Sequence, residues 1–84
     1  MKYCFITFRS VTFAQRGEQI LNKAGIRCNL QRTPKWMESQ GCGYSLRVRE
    51  TECDAAVSLL RDNQVNLRRV YVQQGNGKLE EVVL

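Results

Sequence analysis

The chain has 84 residues, 43% hydrophobic and 25% charged, which suits one small globular domain and excludes a disordered chain. It contains no histidine, which removes His-based catalysis, His metal sites and a histidine pH switch. A net charge of +5 favours anionic partners such as phosphates, nucleic acid, acidic proteins, thiolates or selenolates, although 13 basic against 8 acidic residues is milder than the patch of a dedicated nucleic-acid binder.

Lys2 to Phe8 is dense in aromatic and β-branched residues and reads as a central strand buried on both faces. Cys4, Ile6 and Phe8 share one face; Tyr3, Phe5 and Thr7 share the other. Ser10 is a good N-cap for a helix over roughly 11–24, with Ala14, Gly17, Leu21 and Ala24 on its inner stripe and Ile20 beside them. Gly25 is placed to stop that helix. Residues 26–31 alternate, with Ile26, Cys28 and Leu30 facing inward and Arg27, Asn29 and Gln31 facing outward.

A polar segment with the only proline follows, from Gln31 to Gln40. Thr33-Pro34 marks a turn or extended entry. Trp36 is expected to act as a lid over the core, ahead of a ligand or partner contact. Tyr44 to Arg49 is a third strand, with Tyr44, Leu46 and Val48 alternating with Ser45, Arg47 and Arg49. Thr51 is expected to cap a second helix over about 52–62, with Asp54 in a capping-box position. Cys53, Ala56, Val57 and Leu60 form its apolar stripe. Residues 69–72 make a fourth strand, and Gln73 to Lys78 a turn. Leu79 to Leu84 is a short apolar tail suited to an edge strand or to packing on a partner chain.

The expected class is α+β: a ferredoxin-like βαββαβ plaited sandwich. It has an antiparallel four-stranded sheet, two helices on one face and a short C-terminal extension. Residues 1–73 would form the domain and 74–84 the extension. The uncovered face would carry Arg27, Asn29, Gln31, Arg47 and Arg49, with Arg69 and Tyr71. The modest core leaves a homodimer open. No export signal and no membrane-length apolar run stand in the sequence, so the expectation is a cytoplasmic protein, not membrane-bound, with reduced thiols.

The cysteines are Cys4, Cys28, Cys42 and Cys53, without a Cys-x-x-Cys pair. That spacing points to neither a zinc knuckle nor a thioredoxin-like pair, and no metal or cofactor is implied. Cys4, Cys28 and Cys53 fall on apolar faces and read as core residues. Cys42 lies between Gly41 and Gly43 in a loop of about twelve residues, longer than a plain hairpin requires. Flanking glycines leave its sulfur unshielded and let nearby amides turn toward it. An equally simple reading is that the glycines make a turn which Cys42 merely occupies.

A solvated cysteine has a pKa near ~8.5, and Arg32, Lys35 and Arg47 are the cations expected to lower it. Without a histidine base, multistep hydrolysis or group transfer is poorly supported, and the chain is not expected to be an enzyme. A lone thiolate suits the holding of sulfur or selenium, or a mixed disulfide, because those steps need access and not acid-base machinery.

Ile6-Thr7-Phe8-Arg9-Ser10, Leu21 with Ala24-Gly25-Ile26, Thr33-Pro34, Ser39, Cys42-Gly43 and Leu46-Arg47-Val48 occur in an order and spacing that resemble a family of small bacterial proteins classed as selenium/sulfur carrier-like. The resemblance covers roughly residues 3–72. It implies that Cys42 carries the chalcogen as a persulfide or selenosulfide, received from a donor protein and passed to an acceptor. Two departures stand out: Gly41 replaces the small hydroxyl residue expected before the cysteine, and the tail from Gly75 extends past the usual end.

Two alternatives belong to a different class. The domain would bind RNA through its basic sheet face, or it would be a ligand-sensing or protein-interaction module in which Cys42 is incidental. Against RNA, Gly43 to Val48 does not match the aromatic-rich third strand of RNA-recognition sheets.

Overall fold

The computed structural model describes residues 2–33, 43–73 and 79–81. In chain order these form β1 (Tyr3–Phe8), α1 (Val11–Lys23), β2 (Asn29–Arg32) and β3 (Tyr44–Arg49). A single 3-10 turn (Glu50–Glu52), α2 (Cys53–Asp62), β4 (Arg69–Gln73) and β5 (Leu79–Glu81) follow. The strands make one five-stranded sheet in the order β2-β3-β1-β4-β5, each neighbouring pair antiparallel. The expected count of four strands is corrected by β5, which pairs with β4 and extends the sheet at that edge. Two backbone segments that share hydrogen-bonding groups at an unprotected edge gain a ladder when they pair. Each helix connects strands that have another strand between them: β3 lies between β1 and β2, and β1 between β3 and β4.

The alternation read in the sequence sets which face each residue takes. Cys4, Ile6 and Phe8 of β1 lie opposite Val48, Leu46 and Tyr44 of β3, and Cys4 and Ile6 lie opposite Val72 and Val70 of β4. Together with Ala14 and Leu21 of α1 and Ala56, Val57 and Leu60 of α2, they form the core. At Gly17 α1 packs tightly against the sheet and α2. A methyl group there would stand 3.2 Å from Leu46 Cδ1 and Leu60 Cδ2, and 3.3 Å from Phe8 Cζ. The missing side chain is what lets the helix settle at this depth.

The helix boundaries separate two kinds of signal. Ser10 caps α1 as expected, its hydroxyl accepting a hydrogen bond from the Phe13 amide at 3.3 Å. Thr51 does not cap α2. It sits inside the 3-10 turn, and Glu52 is the N-cap residue without a side-chain hydrogen bond. The turn begins directly at the end of β3, where the Glu50 amide donates to the Lys2 carbonyl, so the chain is already committed before Thr51. Ala24, expected on the inner stripe, is the exposed C-cap of α1.

The two helices end alike. In α1 the amides of Gly25 and Ile26 donate to the Asn22 and Leu21 carbonyls; in α2 those of Gln64 and Val65 donate to Arg61 and Leu60. Both are Schellman closures, which need a left-handed residue. Gly25 takes φ 82 and Gln64 takes φ 59. No described helix is long and apolar enough to cross a membrane.

Candidate functional site

The described structure frames the Cys42 loop at its base. β2 and β3 pair through Arg32 opposite Tyr44, and one step further the Thr33 amide donates to the Gly43 carbonyl at 2.9 Å. Gly43 lies against the end of β1, where an added Cβ would stand 3.1 Å from the Phe8 carbonyl oxygen. That close approach is the local reason for glycine on the C-terminal side of Cys42. Gly41, Cys42, Lys35, Trp36 and Glu38 lie outside the described residues, so the expectations placed on them are neither met nor missed.

Thr33 is a residue that sequence reasoning treated only as part of a turn. It is buried, 2% exposed, and its hydroxyl has no hydrogen-bond partner among the described residues. The same hydroxyl is 3.6 Å from where a Gly43 Cβ would be. A buried donor without a partner is costly, so its position at the neck of the loop is informative. The signal available beforehand was the Thr33-Pro34 pair within the family resemblance.

The three cations assigned to Cys42 separate. Arg32 stays at the loop base, its guanidinium carbon 6.0 Å from the centre of the Tyr44 ring. Lys35 is outside the described residues. Arg47 lies 4.6 Å over the Tyr3 ring, which is toward the opposite end of β3 from Gly43. Arg47 stands four positions along the strand from Gly43, roughly 13 Å at the usual rise. The structure therefore groups Arg47 with Tyr3 and not with the loop base.

The other cysteines have definite surroundings. Cys4 and Cys53, 0% and 7% exposed, are joined by a disulfide with Cα atoms 5.9 Å apart. Both were expected in the core, and both are there; the expectation of reduced thiols does not hold for this pair. The α2 stripe begins directly above β1, which brings the two Cβ atoms within the range a disulfide spans. Cys28 is half-buried, with its sulfur 4.0 Å from the Glu18 carbonyl oxygen and 3.9 Å from Asn22 Oδ1. Burial, and then the Glu18 carboxylate, push its thiol up from 9.0 to about 11. It is therefore protonated at neutral pH and a weak nucleophile.

The sheet face away from the helices is built differently. Register aligns Asn29, Arg47, Phe5, Tyr71 and Glu81 across all five strands, with Tyr3 and Arg49 paired at one end. Tyr3, Phe5, Arg47 and Tyr71 are half-buried. Arg69 reaches Glu81 at 3.5 Å, an ion pair between half-exposed side chains across β4 and β5. This face is not uniformly open. Thr7 and Ser45, in the next row, are 1% and 0% exposed. The Thr7 hydroxyl donates to the Arg69 carbonyl and accepts from its amide, whereas Ser45 Oγ has no partner among the described residues.

A family model described as "Putative Se/S carrier protein-like" matches residues 3–72. The chain belongs to that family. The match runs from β1 into β4 and so takes in the loop base, the disulfide pair and Cys28, while β5 lies beyond it. Neither the curated proteins nor the solved structures contain a match to the chain. Membership in the Se/S carrier-like family thus rests on the family match over residues 3–72, a span that includes Thr33-Pro34 and Cys42-Gly43.

Proposed function

We propose that this protein is a non-enzymatic carrier that holds sulfur or selenium on Cys42, as a persulfide or selenosulfide, in the cytoplasm. Its scaffold would be a ferredoxin-like sandwich with β5 appended. The observation that supports the reading is the condition of the other three cysteines. Two are tied in a buried disulfide, and Cys28 holds its proton up to about 11. A transferable chalcogen needs a thiolate, and Cys42 is the remaining candidate.

Loading balances without an added oxidant. The Cys42 thiolate attacks the outer sulfur of a donor persulfide. The donor's S–S bond breaks and its own thiolate leaves with the electron pair. A new S–S bond at Cys42 holds the sulfur, and an acceptor thiolate removes it by the same step in reverse. A donor holding selenium in a selenosulfide loads by the same exchange. Arg32 at the loop base supports the anionic sulfur, and the Thr33 hydroxyl is a donor available to the loop it closes. Donor and acceptor are proteins that dock against this end of the sheet.

Intact mass under non-reducing conditions, after exposure to a low-molecular-weight persulfide, tests the carrier. The expected result is a one-sulfur adduct mapped to Cys42 and absent from Cys42→Ser. Adducts on Cys28, or an unchanged yield in Cys42→Ser, would overturn it. A second reading, a binding module in which Cys42 is incidental, is favoured by the arginine and aromatic row on the uncovered face. It expects Cys42→Ser to leave ligand binding unchanged.

A further inference from the structure

We propose that the uncovered sheet face binds single-stranded nucleic acid. A phosphate would sit among Arg27, Arg47 and Arg49, and bases would stack beside Phe5. The proposal rests on the binding-module reading for its surface and names the ligand class.

The first observation is a hollow of about 240 Å³ lined by Tyr3, Arg27, Cys28, Asn29, Arg47 and Arg49. Three arginines border it, and none of the described residues that line it carries a carboxylate. Like charges gathered together repel one another, and an anion seated between them lowers that cost. Guanidinium groups also match phosphate oxygens in bidentate geometry.

The second observation is the row beside the hollow. Strands lie roughly 4.8 Å apart, so Arg47, Phe5 and Tyr71 follow one another at that interval across β3, β1 and β4. All three residues are half-buried, so each keeps some contact with solvent. Arg47 over the Tyr3 ring at 4.6 Å already shows a flat cation stacked on an aromatic here. A basic hollow next to half-buried rings supplies the two elements that hold single strands, backbone charge and sequence-tolerant stacking. Duplexes offer no exposed base faces, so the surface favours unpaired strands. The aromatic positions are Phe5 and Tyr71 of β1 and β4, which differs from RNA-recognition sheets with their aromatic-rich third strand.

The test is fluorescence anisotropy of the full chain with a labelled single-stranded oligouridylate, titrated at about 50 and 200 mM salt. Arg47→Ala/Arg49→Ala is expected to weaken binding at least about tenfold, and to flatten the log–log salt slope by about 1.4. Phe5→Leu keeps an apolar side chain on β1 and should lose about tenfold with the salt slope unchanged. Arg16→Ala/Arg61→Ala removes the same charge from exposed helical positions and should have little effect. Circular dichroism melts confirm that each variant is folded.

Equal weakening by the helical pair would overturn the site, as would equal affinity for a duplex of the same length. Polyglutamate competing as well as the oligonucleotide would overturn the nucleic-acid proposal while retaining the binding module. Loss of binding in Cys42→Ser would overturn both. A single-stranded deoxy oligonucleotide that binds as well as RNA supports phosphate and stacking as the recognised chemistry.

Discussion

The two faces of the sheet are made by alternate residues of the same strands, yet they obey different constraints. On the helix side Cys4, Ile6, Phe8, Leu46, Val48 and Val70 are at most 1% exposed. On the other side Tyr3, Phe5 and Arg47 keep contact with water. Neighbours one residue apart thus belong to different problems. Close packing decides what the covered face tolerates; charge and ring geometry decide what the uncovered face can hold. The disulfide and Gly17 sit on the first face, and the guanidinium hollow on the second.

Adjacent residues of β3 give the sharpest test. Leu46→Ala opens a cavity under Gly17 and should cost about 2–5 kcal/mol in chemical denaturation. Arg47→Ala should stay within about 0.5 kcal/mol. Equal losses would erase the distinction between the faces. Reduction of Cys4–Cys53, which are 49 residues apart, should lower stability by about 2–4 kcal/mol. Denaturation with and without reductant, with a Cys28→Ser/Cys42→Ser background to isolate the pair, measures it.

The helix ends permit a smaller comparison. Gln64 occupies the left-handed position that Gly25 takes in α1, so Gln64→Gly should raise stability by about 1 kcal/mol, visible as a higher denaturation midpoint. The smallest effect belongs to Cys28. Its folded pKa of about 11 lies above the ordinary 9.0, so the folded state keeps a proton that the unfolded state releases first. Its contribution is full below 9.0 and is lost as pH rises toward 11. Cys28→Ser should flatten the fall in stability across that window.

Much of the architecture was legible because it depends on local periodicity. The alternation of Tyr44 to Arg49 placed Leu46 and Val48 inward, the spacing of Cys53, Ala56, Val57 and Leu60 identified the α2 stripe, and Ser10 and Gly25 bracketed α1. Thr51 misled because a 3-10 turn, begun by the Glu50 amide at the end of β3, preceded the helix it was expected to cap. Gln64 carried no sign of a left-handed residue, since glutamine rarely takes that conformation. For the candidate site, the cysteine between glycines was legible. The grouping of Arg47 with Tyr3 was not, because it depends on the register between β1 and β3.

The sequence alone determined the family, the α+β class, the inward and outward faces of the strands, and Cys42 as the cysteine that stands between glycines at the end of a polar stretch. Those follow from residue order over a few positions, where backbone geometry leaves little choice. Tertiary structure decided what depends on residues far apart in the chain: the Cys4–Cys53 bond, the fifth strand beside β4, Arg47 over Tyr3, and the row from Asn29 to Glu81. Strand order and register place these groups together, and both are settled by how helices and strands pack as a whole.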